Sequence, residues 1–549
     1  MERVWHQIYG SGIPAEIDSR RYRSVAHLLQ EAVEQYASLT AFSGLGGELT
    51  YQDVDRLSLQ FAAYLQSELG VKKGDRVALM SPNVLAFPVA MFGVIRAGAV
   101  QVNVNPLYTA NELAHQLTDA EVDTVIVFSG AAKTLVEAMK SVSIRHVVVV
   151  EAGDLGQTPV PIGPMPTELR EFIRFSDAID QGEALAFEPA DLDHEDLVYL
   201  QYTGGTTGVP KGAALSHGNL IANILQFKAF TPDLFNEGHD LVITALPLYH
   251  IFALMVNCLS FFSVGAKNVL VANPRDLDVF VSALEKHPFT VITGVNTLFA
   301  NLLAHPRFQQ LDFSSLRFAL GGGSAILKGT SDKWHALTGK HIKEGFGMSE
   351  TSPIVTLNPL HIEDFTETVG IPLPSTDVSL RDDAGQEVTI GKPGELCVRG
   401  PQVMRGYWRR EEDNATVFWP DGFLRTGDIA VIDASGFIKI VDRRKDMVLV
   451  SGFNVYPNEI EAVVASCPGV LESASIGVPD DKTGEAVHLF VVREPQAALT
   501  EEQVREHCRT RLAGYKQPKY VEFVLELPKS AVGKTLRRTL RTQSTGIER

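Results

Sequence analysis

Cysteine is scarce in this chain of 549 residues, which has only four, at positions 258, 397, 467 and 508. Their separations of 41 residues or more match neither zinc-ligand spacing nor a disulfide framework, which argues against a disulfide-stabilised secreted domain. Segment 1–24 also lacks the apolar core that an ordinary secretory signal needs. We therefore expect a cytoplasmic protein with reduced thiols.

Basic residues are outnumbered, with 49 Lys and Arg against 66 Asp and Glu and a net charge of −17. This balance argues against non-specific nucleic-acid binding, although it leaves a local basic patch open. Hydrophobic residues make up 45% and charged residues 21%, as in a folded globular protein and unlike a disordered one. The length predicts three or four domains or subdomains.

Uninterrupted apolar runs are also few. Segment 241–266 has no Lys, Arg, Asp or Glu, and its length alone would allow a membrane span. It nevertheless contains Pro247, His250, Asn257 and Gly265, and its pattern changes halfway. We interpret it as a buried strand followed by a buried helix. Segment 77–95, interrupted by the Ser-Pro-Asn sequence at 81–83, has the same interpretation.

The order of apolar segments predicts an α/β fold. Segments 76–80, 124–128 and 146–150 are continuous apolar runs, typical of parallel strands covered on both faces. Segment 84–97 is a predicted helix between two of them.

The pattern changes near residue 430. A β-hairpin is predicted over 429–441, followed by the charged sequence DRRKD at 442–446. A strand over 447–450, a helix that begins near Pro457 and a helix capped by Thr500 come next. We predict a large N-terminal domain of layered α/β subdomains and a small C-terminal α+β domain.

A glycine-rich segment, YTGGTTGVPKG at 202–212, is the most informative part of the chain. It follows an apolar strand predicted over 197–202 and precedes a predicted helix that Ser216 would cap. Residues 203–211 combine three glycines with exposed N–H groups, three threonine hydroxyls and one lysine, which together can bind a polyphosphate. Gly208 stands three residues before Lys211, and a glycine follows the lysine, so the spacing is not that of a Walker A loop. An ordinary P-loop NTPase is therefore disfavoured.

This segment resembles the phosphate-binding loop of the adenylate-forming superfamily, which includes acyl-CoA synthetases, adenylation domains and beetle luciferases. Further motifs follow in the order of that family: ALPLYH at 245–250, EGFGMSET at 344–351, GYW at 406–408, RTGD at 425–428, DRRKD at 442–446 and PKSAVGK at 528–534. The stretches PLYHIFA at 247–253, TGVNTLF at 293–299 and VSGFNVYPNEIE at 450–461 resemble bacterial long-chain fatty-acid–CoA ligases in particular.

The resemblance implies an AMP-forming acid–thiol ligase that acts in two steps. A fatty-acid carboxylate attacks ATP to give acyl-AMP and pyrophosphate, and the thiol of coenzyme A then displaces AMP. A medium-chain or aryl-acid CoA ligase, a fatty-acyl-AMP ligase and a non-catalytic lipid-binding protein on the same fold stay open as alternatives. Implied ligands are ATP, coenzyme A and Mg²⁺.

The resemblance also assigns nucleotide-binding residues. Those implied to bind the phosphates are Thr203, Gly204, Gly205, Thr206, Thr207, Gly208 and Lys211. Those implied to bind AMP are Gly345, Phe346, Met348, Ser349, Asp428 and Arg443. Glu350 and Thr203 would hold Mg²⁺, a hard cation that prefers oxygen ligands. Phe346 stands where many relatives have tyrosine, and Asp428 alone could equally be a turn residue. Arg444, next to Arg443, is expected to be a solvated charge.

Lys534 is the implied catalytic cation, because it could bridge the substrate carboxylate and the α-phosphate. It could otherwise be a flexible lysine of a basic tail. Catalytic roles are likewise implied for Lys211, Glu350 and His250. The implied domains are 1–441 and a mobile 447–549, which rotates about a hinge at 442–446 that contains Lys445.

Ser451 and Gly452 would then approach the pantetheine of coenzyme A, where a larger side chain would obstruct it. Leu449 occupies the position of a second lysine in some relatives. The residues implied to contact the acyl chain are Tyr249, Phe252, Leu254, Val295 and Gly323, although these could equally be core packing. His250 could be an ordinary buried histidine, and a gate tryptophan of some relatives is missing near Leu254. A fatty-acid substrate favours peripheral contact with the inner face of the cytoplasmic membrane, and the family favours a homodimer.

Overall fold

The computed structural model describes residues 3–156, 167–203, 210–530 and 533–545. The strands are β1 Thr40–Gly44, β2 Gly47–Thr50, β3 Arg76–Met80, β4 Val100–Asn103, β5 Thr124–Phe128, β6 His146–Val150, β7 Ile173–Arg174, β8 Leu197–Thr203, β9 Lys211–Ser216, β10 Leu241–Thr244, β11 Lys267–Leu270, β12 Val291–Gly294, β13 Phe318–Gly321, β14 Lys343–Gly347, β15 Ile354–Leu357, β16 Ile371–Pro372, β17 Asp377–Arg381, β18 Gly394–Arg399, β19 Leu424–Ile432, β20 Ile438–Arg443, β21 Val448–Val450, β22 Phe453–Val455, β23 Val470–Asp480, β24 Gly484–Arg493 and β25 Tyr520–Phe523.

The helices alternate with these strands through most of the large domain. They are α1 Val25–Tyr36, α2 Tyr51–Ser67, α3 Ala86–Arg96, α4 Ala110–Asp119, α5 Ala132–Ala138, α6 Phe175–Gly182, α7 His217–Phe230, α8 Ile251–Ala253, α9 Leu277–Glu285, α10 Asn296–Ala304, α11 Lys328–Thr338, α12 Glu411–Val417, α13 Pro457–Ala465, α14 Glu501–Arg509 and α15 Arg537–Thr545. A π-helix, Leu254–Ser260, directly continues α8.

Two mainly parallel sheets form the core of the large domain. One has the strand order β7-β6-β5-β3-β4-β8-β9, and the other has the order β16-β15-β14-β13-β12-β10-β11-β1-β2. Their central strands are buried along their length because helices cover both faces, which is why the sequence there is continuously apolar. The α/β fold class predicted from the sequence is confirmed.

The remaining sheets are antiparallel or mixed. Strands β17 to β20 form a four-stranded antiparallel sheet, and β19 and β20 make the hairpin predicted over 429–441. Strands β21 to β25 form the sheet of the small domain, against which α13 packs. Strand β20 ends at Arg443 and β21 begins at Val448, so the sheet changes across the predicted hinge. The exact domain limits stay a prediction.

Several local predictions from the sequence are confirmed. Pro457 occupies the first turn of α13, and Thr500 caps α14 through a reciprocal bond pair with Gln503. The two uncharged runs fold as buried strands followed by buried helical segments, β3 with α3 and β10 with α8 and the π-helix. Within the described ranges, no helix combines the length and apolar character needed to cross a bilayer. All four cysteines are buried and free.

Candidate active site

The glycine-rich segment connects two paired antiparallel strands, β8 and β9. Thr203 ends the first strand, Lys211 begins the second, and the two are register partners. The helix that we expected Ser216 to cap is confirmed as α7, and the strand β9, which the sequence did not predict, lies between it and the loop. A hairpin holds the ends of the loop together from both sides. The predicted phosphate-binding residues Gly204, Gly205, Thr206, Thr207 and Gly208 lie outside the described residues.

Lys211 lies in a charged environment at the loop end of this hairpin. Its ammonium is ion-paired with Asp413 of α12 and lies 5.4 Å from the centre of the Tyr407 ring. The Tyr407 hydroxyl in turn donates a 2.7 Å hydrogen bond to Glu350 Oε1. Tyr407 thus stands between the predicted phosphate-binding cation and the predicted metal-binding carboxylate.

Glu350 belongs to a single 3-10 turn, Ser349–Thr351, that follows β14. It is buried, and burial raises the pKa of its carboxyl while the Tyr407 hydrogen bond and the charge of Arg443 oppose that rise. Gly347, three residues before Glu350, has no room for a side chain, since a Cβ there would lie 2.1 Å from the carbonyl oxygen of Pro353. Met348 N–H also bonds to that carbonyl, which fixes the turn.

Asp428 and Arg443 face each other across β19 and β20. Arg443 Nε lies 3.0 Å from Asp428 Oδ1, and the two residues are register partners. Asp428 is only 3% exposed, and its Oδ2 has no hydrogen-bond partner within the described part of the chain. Burial raises the pKa of this carboxyl, while Arg443 and Lys534 lower it. A buried acceptor without a partner suits a ligand that brings hydroxyl donors.

Lys534 reaches this pair from the small domain. Its charge acts on Asp428 of the large domain and on Arg443 of the predicted hinge, and it lowers the pKa of His250. The tail rests against α10 and the residue before it, because a Cβ at Gly533 would lie 3.0 Å from Thr297 Oγ1 and 3.1 Å from Val295 Cγ2. Lys534 remains open to solvent, yet surrounding protein atoms and the nearby cations lower its pKa to about 8.

His250 and some of the predicted acyl-contact residues lie together beside the glycine-rich turn after β13. His250 caps α8 by accepting a 3.4 Å hydrogen bond from Phe252 N–H, and burial with the charge of Lys534 lowers its pKa to about 4. The Phe252 ring lies 3.1 Å from the Cβ position of Gly322, and Val295 lies 3.8 Å from that of Gly323.

Tyr249 and Leu254 flank this group. Burial raises the pKa of Tyr249 to about 12, and Leu254 is fully buried in the π-helix.

The predicted hinge and coenzyme A residues lie apart from this group. Burial lowers the pKa of Lys445 to about 8. Ser451 and Gly452 form the exposed turn between β21 and β22, with φ angles of 52° and 82°. Arg444, which we expected to be a solvated charge, is instead ion-paired with Glu395 at 2.9 Å. That expectation was wrong because Glu395, a buried carboxylate 49 residues earlier in the chain, accepts hydrogen bonds from Arg444 as well as from Arg425.

A cavity of about 2130 Å³ separates the two domains. Its lining includes Phe346 and Asp428 from the large domain and Lys534 from the small domain, with Arg443 and Lys445 beside the hinge. Ser451, Gly452, Glu350 and His250 are not among its described lining residues. The cavity is larger than a typical pocket for one small ligand, so a nucleotide and a second substrate fit together.

The described residues contain no cluster of three or more His, Cys, Asp or Glu that could hold a metal by itself. Glu350 offers one carboxylate, with Thr203 at the nearby hairpin. This set fits Mg²⁺ only if phosphate oxygens of a nucleotide supply further ligands, which is the usual arrangement for this ion.

Sequence reasoning missed two residues of this region. Tyr407 belongs to the GYW motif but had no assigned role, and its contact with Glu350 spans 57 residues of chain. Asp413 lies in an acidic first turn of α12, which resembles any solvated helix start. A β-bridge between Ala213 and Tyr407 brings both segments to β9, and only the folded chain shows this pairing.

A two-domain α/β fold, the β8–β9 hairpin of the glycine-rich segment and an interdomain cavity lined by a carboxylate, an arginine and a lysine are typical of a nucleotide-binding enzyme. The chain belongs to the AMP-binding enzyme family: the family profile matches residues 29–408, and the profile of the AMP-binding enzyme C-terminal domain matches 459–534. The resemblance carried by the motifs is confirmed.

Similar proteins support this membership over the whole length. The chain is 50% identical to a long-chain-fatty-acid–CoA ligase of Yersinia pestis, covering 100% of this chain and 99% of that protein. It is 35% identical to the protein of that name in Bacillus subtilis, covering 99% and 98%. Among solved structures, ATP-bound MatB from Rhodopseudomonas palustris is 31% identical with a TM-score of 0.83, covering 95% and 100%.

Proposed function

We propose that this protein is an ATP-dependent long-chain fatty-acid–CoA ligase that forms acyl-AMP and then acyl-CoA. The convergence of Lys534 with Asp428 and Arg443 on one cavity is the observation that carries the proposal. Relatives of 44% to 50% identity that bear this name add the substrate class. Burying each CH₂ of an acyl chain gains about 0.8 kcal/mol, so an apolar site favours long substrates.

The first half-reaction needs alignment and charge stabilisation more than acid–base chemistry. Asp428 Oδ2 accepts hydrogen bonds from ribose hydroxyls, which gives this buried oxygen its partners. Arg443 orients Asp428 and faces the α-phosphate side. Lys534 lies between the two anions and lowers their repulsion at the moment of attack. His250, held neutral by burial and Lys534, lies at the junction of carboxylate and phosphate.

Adenine lies against Gly345, Phe346 and Met348, and Ser349 contributes a hydroxyl. Thr203, Lys211 and the loop between them bind the β- and γ-phosphates. Lys211 exchanges its ion pair with Asp413 for one with phosphate. Glu350 and Thr203 would hold Mg²⁺, which when bound would supply positive charge to neutralise the pyrophosphate.

Replacement of Tyr407 by Phe tests the position of Glu350. The variant loses the 2.7 Å hydrogen bond to Oε1, so the carboxylate loses its orientation and its ionised form is less stable. Hydrogen bonds to charged groups contribute roughly 1.5–3 kcal/mol, so we expect about a tenfold higher Mg²⁺ requirement. ATP–pyrophosphate exchange at varied Mg²⁺ and fixed ATP measures this.

Tyr9→Phe is the matched control, because the Tyr9 hydroxyl also donates a 2.7 Å bond, to the carbonyl of Pro372. An unchanged Mg²⁺ dependence in Tyr407→Phe, or an equal change in both variants, contradicts the assigned role of Glu350.

For the second half-reaction, we propose that the small domain rotates about 442–446, with Lys445 at the pivot. The rotation moves Lys534 away from Asp428 and Arg443. It brings Ser451 and Gly452 to the place where the pantetheine arm of coenzyme A enters the site. Gly452 suits this role because nothing lies within 4 Å of its Cβ position. We place the acyl chain along Tyr249, Phe252, Leu254, Val295 and Gly323.

A single assay tests the function. The protein is incubated with Mg²⁺-ATP, coenzyme A and a series of carboxylic acids, and AMP, ADP, pyrophosphate and thioester are followed. We expect AMP, pyrophosphate and acyl-CoA, with long-chain fatty acids preferred. ADP as the product eliminates the ligase proposal, and preference for aryl or medium-chain acids shifts the substrate class. Acyl-AMP that accumulates despite coenzyme A identifies an acyl-AMP ligase, and no product identifies a binding protein.

The apolar substrate also motivates a proposed location. We place the protein in the cytoplasm, in peripheral contact with the inner face of the membrane, and propose a homodimer. Co-sedimentation with phosphatidylglycerol vesicles and sedimentation equilibrium test these two proposals, and a monomer that ignores vesicles contradicts both.

A further inference from the structure

Three amide side chains form a buried hydrogen-bonded series, here called the amide ladder, across β4 and β8. Gln101 Nε2 donates to Asn103 Oδ1 at 2.7 Å, and Asn103 Nδ2 donates to Gln201 Oε1 at 2.8 Å. Gln201 Nε2 then donates to the carbonyl oxygen of Tyr249 at 3.1 Å. The three residues are at most 3% exposed, and Asn103 and Gln201 are register partners.

The amide ladder is costly for a sheet core. The neighbouring strands are apolar, and burying amides without full hydrogen bonding is unfavourable. Gln101 Oε1, at the far end, has no hydrogen-bond partner in the described part of the chain. Every donor of the ladder is directed toward Tyr249, and the unsatisfied acceptor is left at the opposite end. An arrangement with this cost and direction indicates that the last bond matters.

That last bond joins two segments of the proposed site. Strands β8 and β9 with the glycine-rich loop between them are called the phosphate hairpin here. Gln201 lies on β8, two residues before Thr203, the last residue before the loop. Tyr249 directly precedes His250 and belongs to the loop that follows β10 of the other sheet. The bond therefore connects the strand that carries the phosphate loop to the loop that carries His250.

Asn83 holds the same loop from the same sheet. It lies three residues after the end of β3, is buried, and its Nδ2 donates to the carbonyls of Thr244 at 3.0 Å and Leu246 at 2.9 Å. Its Oδ1 accepts a 2.8 Å hydrogen bond from Leu248 N–H. Asn83 thus secures the start of the loop, and Gln201 secures its end next to His250.

We propose that Gln201 is a positioning residue that sets the distance between the phosphate hairpin and His250, with Asn103 and Gln101 orienting its amide. This rests on the proposed function, in which the carboxylate and the α-phosphate must meet between these two segments. Misplacement of reacting groups by about 1 Å costs roughly 100-fold in rate without weakening the binding of either substrate. Gln201 should therefore affect turnover more than KM.

Gln201→Met removes the amide and nearly preserves its shape. We expect the kcat of adenylation, measured by ATP–pyrophosphate exchange, to fall about 10- to 100-fold. The KM values for ATP and fatty acid should change less than about threefold. The control is Gln226→Met, since Gln226 is also a buried glutamine whose Nε2 donates to a loop carbonyl, that of Pro374 at 2.8 Å. Gln226 makes further side-chain hydrogen bonds with Asn223, Thr376 and Gln402, so its replacement should lower the melting temperature at least as much as Gln201→Met. Its kcat should nevertheless stay within about twofold.

Equal loss in the two variants, or a loss confined to KM, overturns the proposal. Asn103→Leu covers the case in which Gln201→Met does not fold: it should lower kcat in the same direction and to a smaller extent. Combined with Gln201→Met, it should add almost nothing, because both changes break one series. If the wild type releases no AMP with any acid, the proposed function fails; a wild type that turns over with unchanged variants overturns the positioning role alone.

Discussion

Lys534→Ala should abolish most acyl-adenylate formation and leave thioester formation from supplied acyl-AMP nearly intact. Removing a single charge-stabilising donor from an enzyme site typically lowers kcat about 10²- to 10³-fold. Lys534 contributes to the first half-reaction, in which a carboxylate anion approaches an anionic phosphate, and is not needed when a thiol attacks the uncharged acyl carbonyl of acyl-AMP. ATP–pyrophosphate exchange measures the first step, and acyl-CoA formation from synthetic acyl-AMP measures the second.

Lys529→Ala is the control for a general effect on the basic tail. Lys529 belongs to the same segment, but it is ion-paired with Glu472 at 2.6 Å on the small domain itself. Its replacement should change either half-reaction less than about threefold. Equal losses in both half-reactions of Lys534→Ala contradict the assigned role, since a purely structural lysine would affect both.

The layered α/β fold could be predicted from the apolar pattern, because strands covered on both sheet faces have continuously apolar sequences. Strand β6, His146–Val150, is buried except at its first residue, and its sequence is continuous valine after that point. Helix boundaries with polar caps were equally visible, as at Ser216 and Thr500. These features depend on residues within a few positions of each other, so periodicity and capping rules detect them.

Contacts between segments that are distant in sequence could not be predicted in this way. Strand β9, Lys211–Ser216, was not predicted, because its sequence KGAALS shows no regular alternation of polar and apolar residues. The pairing of β9 with β8 and with Tyr407 decides its structure, and that pairing depends on a segment almost 200 residues away. Arg444 was misjudged for the same reason, since its partner Glu395 lies on another strand.

The motifs identified the family but not the way in which the site is assembled. Asp428 and Arg443 are adjacent because they are register partners on β19 and β20. Tyr407 is held at β9 by its β-bridge with Ala213, and the bond from Met404 N–H to the Glu350 carbonyl brings its segment to Glu350. The amide ladder could not be predicted, because isolated Gln and Asn residues in apolar strands are usually exceptions to the pattern. The individual roles of the site residues stay predictions until the variants are measured.

The second large effect concerns the movement of the tail, and a disulfide between Thr297→Cys and Gly533→Cys should arrest it. A Cβ at Gly533 would lie 3.0 Å from Thr297 Oγ1, so thiols at these positions meet within disulfide range while Lys534 faces Asp428. The four native cysteines are buried and free, which limits competing crosslinks. Gly533 has a φ of 77°, which favours glycine, so the reduced double variant is the proper reference.

Oxidation of this variant should leave acyl-AMP formation within about threefold of the reduced form and lower acyl-CoA formation more than about tenfold. Acyl-AMP should then accumulate on the enzyme, and dithiothreitol should restore thioester formation, because the small domain regains its rotation. Quenched-flow detection of both products, with the crosslinked fraction measured on a non-reducing gel, checks this. Fully crosslinked protein that makes acyl-CoA as fast as the uncrosslinked, dithiothreitol-treated form would show that Lys534 never has to leave. The alternation proposed for the two half-reactions would then be wrong.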